Sequence, residues 1–134
     1  MVTRDSTSGI LSAMIYHYPP EMRTSPPPSY EDRTIAEQSL KIGKPTKKCV
    51  VIEDLDPGAA FRFQMLSPGH RGDVIAAWKK LGSPATINRD IAEQLDSYTS
   101  TLNLRILKAD EQGKLVFEDV LEPWTLIAIQ QIKI

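Results

Sequence analysis

The sequence is poor in the residues that build covalent and metal sites. Among its 134 residues it has one cysteine, Cys49, and two histidines, His17 and His70. A single cysteine excludes a disulfide within the chain and every metal site that needs several cysteines. A cysteine–histidine catalytic pair or a zinc site needs more partners than these residues provide. We therefore expect no metal and no cofactor, and we interpret Cys49 in "CVVI" as a small buried hydrophobic residue.

Long apolar runs, excess charge and catalytic motifs are also missing. No apolar run approaches the ~20 residues that an α-helix needs to cross a bilayer. The formal net charge is −1, which gives no overall attraction to nucleic acid or anionic lipid. The sequence has no glycine-rich phosphate loop and no nucleophile elbow. These absences predict that the protein is not an enzyme.

Proline is concentrated near the start of the chain. Of ten prolines, six lie in residues 1–45, and five of those lie in residues 19–28. Proline fixes φ and removes a backbone donor, and this segment has few large aliphatic residues to offset the entropy of ordering. The sequence therefore predicts that residues 1–45 are a mostly disordered tail, with one short helix in "YEDRTIAEQSLK".

From Thr46 onward the pattern is that of a folded domain. "KKCVVIEDL" and "AAFRFQML" are rich in β-branched or alternating apolar residues, which is typical of strands. "DVIAAWKKLG" has helical spacing, with Asp73 as a cap and Gly82 as the terminator. Ser83 and Pro84 predict the start of a second helix.

The remaining segments complete a predicted α+β fold. "STLNLRILKADEQGKLVFEDVL" predicts a hairpin, and "WTLIAIQQIKI" predicts a central strand because its apolar residues point to both faces. The expected order is ββααβββ, a small antiparallel sheet with two or three helices over residues 46–134. We expect Trp124 to stabilise the core, and Trp78 to share a buried helix face with Val74 and Leu81.

The segment "RTSPPPSYEDR", residues 23–33, carries a docking pattern. Pro27, Pro28 and Tyr30 fit PPxY, the ligand pattern of group I WW domains. Prolines in a polyproline II helix present flat apolar faces to an aromatic groove, and the tyrosine ring fills a neighbouring pocket. A disordered linker could match this pattern by chance, but Pro26 extends the helix and two acids follow. We interpret Pro27, Pro28 and Tyr30 as a WW-domain site.

A PPxY leader joined to one small α+β domain without catalytic motifs resembles the matrix proteins of negative-strand RNA viruses. A weaker similarity to rhabdovirus-type matrix domains spans "DVIAAW" and "STLNLRILKADEQG". The resemblance implies a structural virion protein that forms homo-oligomers on the inner face of the host membrane, in the host cytoplasm, and links that membrane to the nucleocapsid. It implies that Pro27, Pro28 and Tyr30 recruit a host HECT-type ubiquitin ligase for budding. Two alternatives stay open, a cellular PPxY adaptor for such a ligase and a small nucleic-acid-binding domain.

A basic cluster lies where the predicted tail meets the domain. Its members are Lys41, Lys44, Lys47 and Lys48. Four lysines without a nearby acid would attract anionic lipid at ~1 kcal/mol each. We predict that they contact the membrane or the nucleocapsid. They are alternatively a solvated linker or acceptors for ubiquitin.

Two further patterns point weakly to nucleic acid. Gly69 and Gly72 have the spacing of the GxxG loop of KH domains, but that loop joins two helices, and here a predicted strand precedes it. A strand-to-helix turn is the better interpretation. The two helices joined at "LGSPAT" suggest a helix-turn-helix, yet the exposed face of the second is not basic, as phosphate contacts require.

Overall fold

The fold is a sandwich of two antiparallel sheets with helices in the connections. A computed structural model describes residues 1–22, 33–70, 72–100 and 102–133. The elements within these ranges are β1 (Val2–Arg4), β2 (Leu11–Tyr16), α1 (Arg33–Ser39), β3 (Thr46–Ile52), β4 (Ala60–Leu66), α2 (Val74–Lys80), α3 (Arg89–Ser100), β5 (Asn103–Lys108), β6 (Leu115–Leu121) and β7 (Leu126–Ile132). The order after Thr46 is ββααβββ, which confirms the predicted α+β class and order.

The two sheets differ in size. The larger has five strands in the order β1-β2-β7-β4-β5, and the smaller pairs β3 with β6. Every pairing is antiparallel. β7 lies between β2 and β4, so the prediction of a central last strand is confirmed.

The core lies between the facing sides of the two sheets. Phe61 and Phe63 of β4 are fully buried, and Ile127 and Ile129 of β7 lie beside them at no more than 1% exposure. The ring of Phe63 meets Phe117 of the smaller sheet edge-on, with centroids 5.2 Å apart. Burying a side chain of this size stabilises the fold by about 1.5–3 kcal/mol. The contact between the sheets is therefore the main source of stability.

The predicted hairpin in residues 100–121 is wrong. β5 pairs with β4 in the larger sheet, whereas β6 pairs with β3 in the smaller one. Between them the chain crosses from one sheet to the other through a tight turn at Gly113, which has φ +72°. A Cβ there would lie 2.3 Å from the carbonyl oxygen of Leu55. The close approach of these two loops requires a glycine.

The predicted disordered tail is wrong at its beginning. β2 forms an antiparallel ladder with β7, and β1 adds to the edge of the same sheet. Leu11 and Ala13 are buried in the core. A short alternation of apolar residues is enough for a strand when a neighbouring strand supplies its hydrogen bonds. Helix α1 confirms the predicted short helix, and residues 23–32 lie outside the described residues.

Helix α2 has the ends that the sequence predicted. The Asp73 carboxylate accepts hydrogen bonds from the backbone N–H groups of Ile75 and Ala76 at 3.0 and 3.1 Å. Gly82 follows the last turn with φ +84°. The aspartate satisfies two of the orphan donors at the helix start, and the glycine adopts the left-handed conformation that ends helices. Both predictions are confirmed.

The second helix begins later than predicted. Ser83 has φ +53°, so it cannot lead directly into a helix. The carbonyl of Pro84 accepts a hydrogen bond from the Trp78 indole at 3.1 Å. Asn88 caps α3 instead, because its side-chain oxygen accepts from the N–H of Ile91 at 2.9 Å. The loop between α2 and α3 is therefore held by the hydrogen bond from the Trp78 indole to Pro84, and Ser83 is not the cap of α3.

Two burial predictions need correction. Val74 and Leu81 are 42% and 40% exposed, and Trp78 is half-buried, so α2 does not insert that face into the core. The buried residue of α2 is Ala77. Cys49 is exposed, because it lies on the outer face of β3. In both α2 and β3 the element formed as the apolar pattern predicted, but the face that became buried was not the predicted one.

Candidate functional site

The predicted WW-domain site lies outside the described residues. Pro27, Pro28 and Tyr30 fall in the range 23–32, between the buried Met22 and the start of α1. Docking of a WW domain on these three residues therefore stays a prediction.

The four lysines do not form one patch. Lys47 and Lys48 are consecutive in β3, so their side chains leave opposite faces of the strand. The Lys47 ammonium lies 2.6 Å from the Glu118 carboxylate. Lys44 and Lys48 line one cleft, and Lys41 is exposed elsewhere, after α1. The expectation of lysines without a nearby acid is wrong for Lys47.

The cleft that holds Lys44 and Lys48 lies where the end of β2 meets the start of β3. Its volume is about 410 Å³, within the range of small-ligand sites. We call it the Tyr16 cleft, and its lining residues are Tyr16, His17, Tyr18, Pro20, Glu21, Lys44, Thr46 and Lys48. The lining combines aromatic rings with cations, an acid and a hydroxyl.

Two tyrosines at this cleft have different environments. Tyr16, the last residue of β2, is 68% exposed. Tyr18 packs edge-on against Trp124, with ring centroids 5.0 Å apart, and its hydroxyl donates to the carbonyl of Met22 at 3.4 Å. The ring of Tyr18 is therefore fixed by contacts within the protein, while the ring of Tyr16 is available to a ligand.

His17 anchors the base of the cleft. It is buried, and its Nδ1 lies 3.0 Å from the carbonyl oxygen of Leu121 and 3.1 Å from that of Glu122. Two acceptors at this distance require a proton on Nδ1, so the ring donates to them. The His17 backbone also donates to Thr125 at 2.8 Å and accepts from Trp124 at 2.7 Å. These bonds hold the strand end rigidly beneath Tyr16.

The polar groups of the cleft supply both donors and acceptors. Lys44 and Lys48 are exposed cations, and Glu21 is an exposed acid at the same cleft. The hydroxyl of Thr46 donates to the carbonyl of Lys44 at 3.1 Å, which ties down the start of β3. The hydroxyl groups of a ligand can accept hydrogen bonds from the two lysine ammonium groups.

A second cleft is mainly apolar. It lies between α2 and the loops beside it, with a volume of about 470 Å³. We call it the Trp124 groove, and its lining residues are Leu40, Leu66, Ser67, Pro68, Gly69, Gly72, Asp73, Val74, Ile75, Ala76, Lys79 and Trp124. Leu40 and Ile75 are about half exposed at its rim, with values of 50% and 51%. Clustered exposed apolar side chains are typical of a protein-contact surface.

Trp124 itself adopts an unusual conformation. Its φ is +67°, in the left-handed region that bulky residues avoid. Its buried Nε1 has no hydrogen-bond partner among the described residues. The next residue, Thr125, is buried and shares a 2.9 Å hydrogen bond with Ser67. The sheet thus holds Trp124 in place between the two clefts, with its ring against Tyr18, and its stabilisation of the core stays a prediction.

The sequence did not reveal either cleft. Tyr16, His17 and Tyr18 are three ring residues in a row, but they lie in the segment that the sequence predicted to be mostly disordered. The signal that could have found them is the alternation of Leu11, Ala13 and Ile15, which predicts a strand that ends at Tyr16. Gly69 and Gly72 lie in the turn from β4 to α2, which confirms the strand-to-helix interpretation.

Carboxylic acids are sparse in the clefts. Each of five clefts in the described part of the chain is lined by at most one acid, and these acids are Asp73, Asp5 and Glu21. Within the described ranges there is no group of three or more potential metal ligands. None of the helices described is long and apolar enough to cross a membrane.

No protein-family model and no curated protein matches the chain. Two solved structures share its fold. The GH39 enzyme from Xanthomonas axonopodis pv. citri superposes with a TM-score of 0.59 and 14% identity, over 99% of this chain and 25% of that one. A monomeric β-xylosidase from Caulobacter crescentus CB15 gives a TM-score of 0.56 and 17% identity, over 97% of this chain and 25% of that one. The chain spans about a quarter of the length of these enzymes, and the similarity shows a shared fold.

Proposed function

We propose that this chain is a non-catalytic β-sandwich module of a glycoside hydrolase, and that it packs against a catalytic domain. The observation that carries the proposal is the coverage of the structural matches. The superposition covers 99% of this chain with the GH39 enzyme and 97% with the β-xylosidase. It covers only 25% of each enzyme. Three-quarters of each enzyme is thus left to supply a catalytic domain.

The distribution of acids supports a non-catalytic role. Most glycoside hydrolases use two carboxylic acids on either side of the scissile bond, roughly 5–10 Å apart. Each of the five clefts above is lined by at most one acid from the described residues. A module of this kind contributes stability or ligand binding, while the acid and the nucleophile belong to the catalytic domain.

The Trp124 groove is the surface that we assign to the catalytic domain. It combines an apolar lining with half-exposed aliphatic residues, Val74 and Ile75 on α2 and Leu40 in the turn after α1. Domain interfaces within one chain bury roughly 600–1,500 Å², and apolar clusters of this kind supply their centre. Burial under a second domain also explains why α2 exposes so much apolar surface.

Affinity capture with an activity assay tests the proposal. The chain is tagged at its own locus in the cells that produce it, and the captured material is assayed with an aryl β-xyloside. We expect glycosidase activity in the captured material, either in a longer polypeptide that contains the chain or in a bound partner. The isolated chain of residues 1–134 is expected to have none. Capture of the chain alone without activity, or hydrolysis by the isolated chain, would refute the proposal.

Matched variants test the assigned surface. Ile75→Asp places a charge in the Trp124 groove and should reduce the recovered activity. Val116→Asp places the same charge on an equally exposed residue of the smaller sheet, which is 54% exposed, and should leave it unchanged. Equal losses in the two variants would show that the groove is not the contact surface.

The matrix-protein hypothesis remains a second proposal, supported by the PPxY pattern of Pro27, Pro28 and Tyr30. A peptide covering residues 23–33 should bind an isolated WW domain about as well as the whole chain does. Tyr30→Ala should weaken binding at least tenfold, which is ~1.4 kcal/mol. Calorimetry measures both, and unchanged affinity in Tyr30→Ala would reject WW docking.

Release of membrane-enclosed particles from cells that express the chain alone separates a matrix protein from a cellular adaptor.

A further inference from the structure

We propose that the Tyr16 cleft binds a short oligosaccharide of pyranose units. The choice of ligand class rests on the proposed function, because a glycosidase module meets sugar chains. The cleft itself is defined independently by an exposed aromatic ring, two cations, an acid and a volume of about 410 Å³.

The exposed ring of Tyr16 provides a platform for a sugar. A pyranose ring has C–H groups on its faces and hydroxyl groups around its edge. An aromatic face offers an apolar surface for the C–H groups, and a phenol hydroxyl adds a polar tip at its rim. Tyr16 is 68% exposed although it ends a strand whose Leu11 and Ala13 are buried in the core. The platform is therefore accessible and attached to a rigid element.

The polar rim matches the hydroxyl groups of a sugar. The ammonium groups of Lys44 and Lys48 are donors, and the carboxylate of Glu21 is an acceptor. Hydroxyl groups both donate and accept, so a sugar can accept hydrogen bonds from the two ammonium groups. A few convergent polar groups around an apolar surface are the usual composition of a small-ligand site.

The geometry favours a sugar over an anionic membrane surface. A membrane contact needs several cations on one surface, at about 1 kcal/mol each. Lys47 lies on the opposite face of β3 and pairs with Glu118 at 2.6 Å. The cleft therefore has two of the four lysines, Lys44 and Lys48. Two cations are a weak membrane anchor, but they are sufficient donors for the hydroxyl groups of a neutral ligand.

Isothermal titration and backbone NMR with a xylo-oligosaccharide test the inference on the whole chain. An open cleft of this kind predicts a dissociation constant on the order of 1 mM. We expect the largest shifts at Tyr16, Lys44 and Lys48. Tyr16→Ala should weaken binding at least tenfold, whereas Tyr16→Phe, which keeps the ring, should stay within about threefold. Because Tyr16 is exposed, neither variant should change the melting temperature.

Adjacent lysines provide the matched control. Lys48→Ala should weaken binding several-fold, and Lys47→Ala should not, since only Lys48 lines the cleft. Equal losses in the two variants would overturn the assignment of the site. So would unchanged binding in Tyr16→Ala, or no binding of xylo- or cello-oligosaccharides at 10 mM, roughly tenfold above the expected constant.

The two proposals fail in distinguishable ways. Vesicles that contain an anionic lipid are titrated in parallel. If the chain binds these vesicles but no sugar, and Lys48→Ala abolishes the vesicle binding, the cleft is a membrane contact and the inference is overturned. Sugar binding by a chain that captures no glycosidase would support the inference and refute the proposed function. Capture of glycosidase activity without sugar binding would overturn the inference alone.

Discussion

The interior of the sandwich and the helical layer beside it use apolar residues differently. Between the sheets, Phe61, Phe63 and Ile127 are completely removed from solvent. In α2 and α3 the buried residues are Ala77 and Leu95 alone, while larger aliphatic side chains remain exposed. Those exposed side chains are Val74 at 42%, Ile75 at 51%, Leu81 at 40% and, just before α3, Ile87 at 56%.

The difference indicates which region stabilises the fold and which one leaves apolar side chains exposed. Stability follows the apolar area removed from water, so it comes chiefly from the facing sheets. Helix α2 has seven residues, fewer than an isolated helix needs, and it depends on its caps and on packing against α3. Apolar residues that the helices leave exposed are available to another domain.

The largest expected effect belongs to the sheet interface. Phe63→Ala should lower the free energy of unfolding by roughly 3–5 kcal/mol, because it leaves a cavity beneath Phe117. Ile106→Ala on β5 is the control, since this residue is 53% exposed and should change stability by less than about 0.5 kcal/mol. Urea denaturation of both variants measures this, and equal costs would mean that the core does not lie between the sheets.

The loop contact that joins the two sheets should be nearly as sensitive. Gly113→Ala should lower the free energy of unfolding for two reasons. Alanine in the left-handed backbone conformation costs roughly 1–3 kcal/mol, and its Cβ would clash with the Leu55 carbonyl. Gly58 has a similar φ of +75° but has no atom within 4 Å of a Cβ built there, so Gly58→Ala isolates the backbone penalty. Thermal unfolding should show a clearly greater loss for Gly113→Ala. Identical losses would show that the clash relaxes without cost.

A smaller effect is expected in the helical layer. Trp78 is half-buried and donates one hydrogen bond to Pro84, so Trp78→Ala should cost roughly 1–3 kcal/mol. A fully buried tryptophan would cost roughly 3–5 kcal/mol. Trp78→Phe keeps a six-membered ring but removes the indole N–H and part of the apolar area, so it should fall between Trp78→Ala and the parent. If Trp78→Ala lowers the free energy of unfolding as much as Phe63→Ala does, Trp78 of α2 belongs to the core.

The smallest expected effect is a pH dependence at the exposed β1–β2 turn. The Ser8 hydroxyl and backbone N–H groups donate to the Asp5 carboxylate and lower its pKa below 3.8. A lowered folded-state pKa adds stability that is present above the unfolded value of about 3.9 and is lost as the pH falls through the folded value.

Unfolding curves from about pH 5 to about pH 2 test this dependence. Asp5→Asn should lose less stability than the parent over that range, because it has no carboxylate to protonate. The difference should be small, since Asp5 is fully exposed. A parent and a variant with parallel curves would show that the Ser8 contacts do not persist in solution.

Local pattern by itself determined the elements after Thr46. The order ββααβββ, the Asp73 cap and the end of α2 at Gly82 all follow from rules that act over a few residues. Apolar residues on both faces of "WTLIAIQQIKI" likewise predicted a central β7, and β7 does lie between β2 and β4, although Ala128 and Gln130 on its outer face are exposed.

Tertiary structure decided the pairing of strands and the formation of the clefts. The alternation in β3 shows that it has two faces, but only packing decided that Val50 and Ile52 face the core while Cys49 faces solvent. β5 and β6 flank a good turn, yet each pairs with a strand far away in sequence. The Tyr16 cleft forms only because β2 joins β7 and β3 joins β6. Such contacts join residues that are distant in sequence. A short stretch of sequence contains neither the packing partners nor the entropy cost of closing the loop between them.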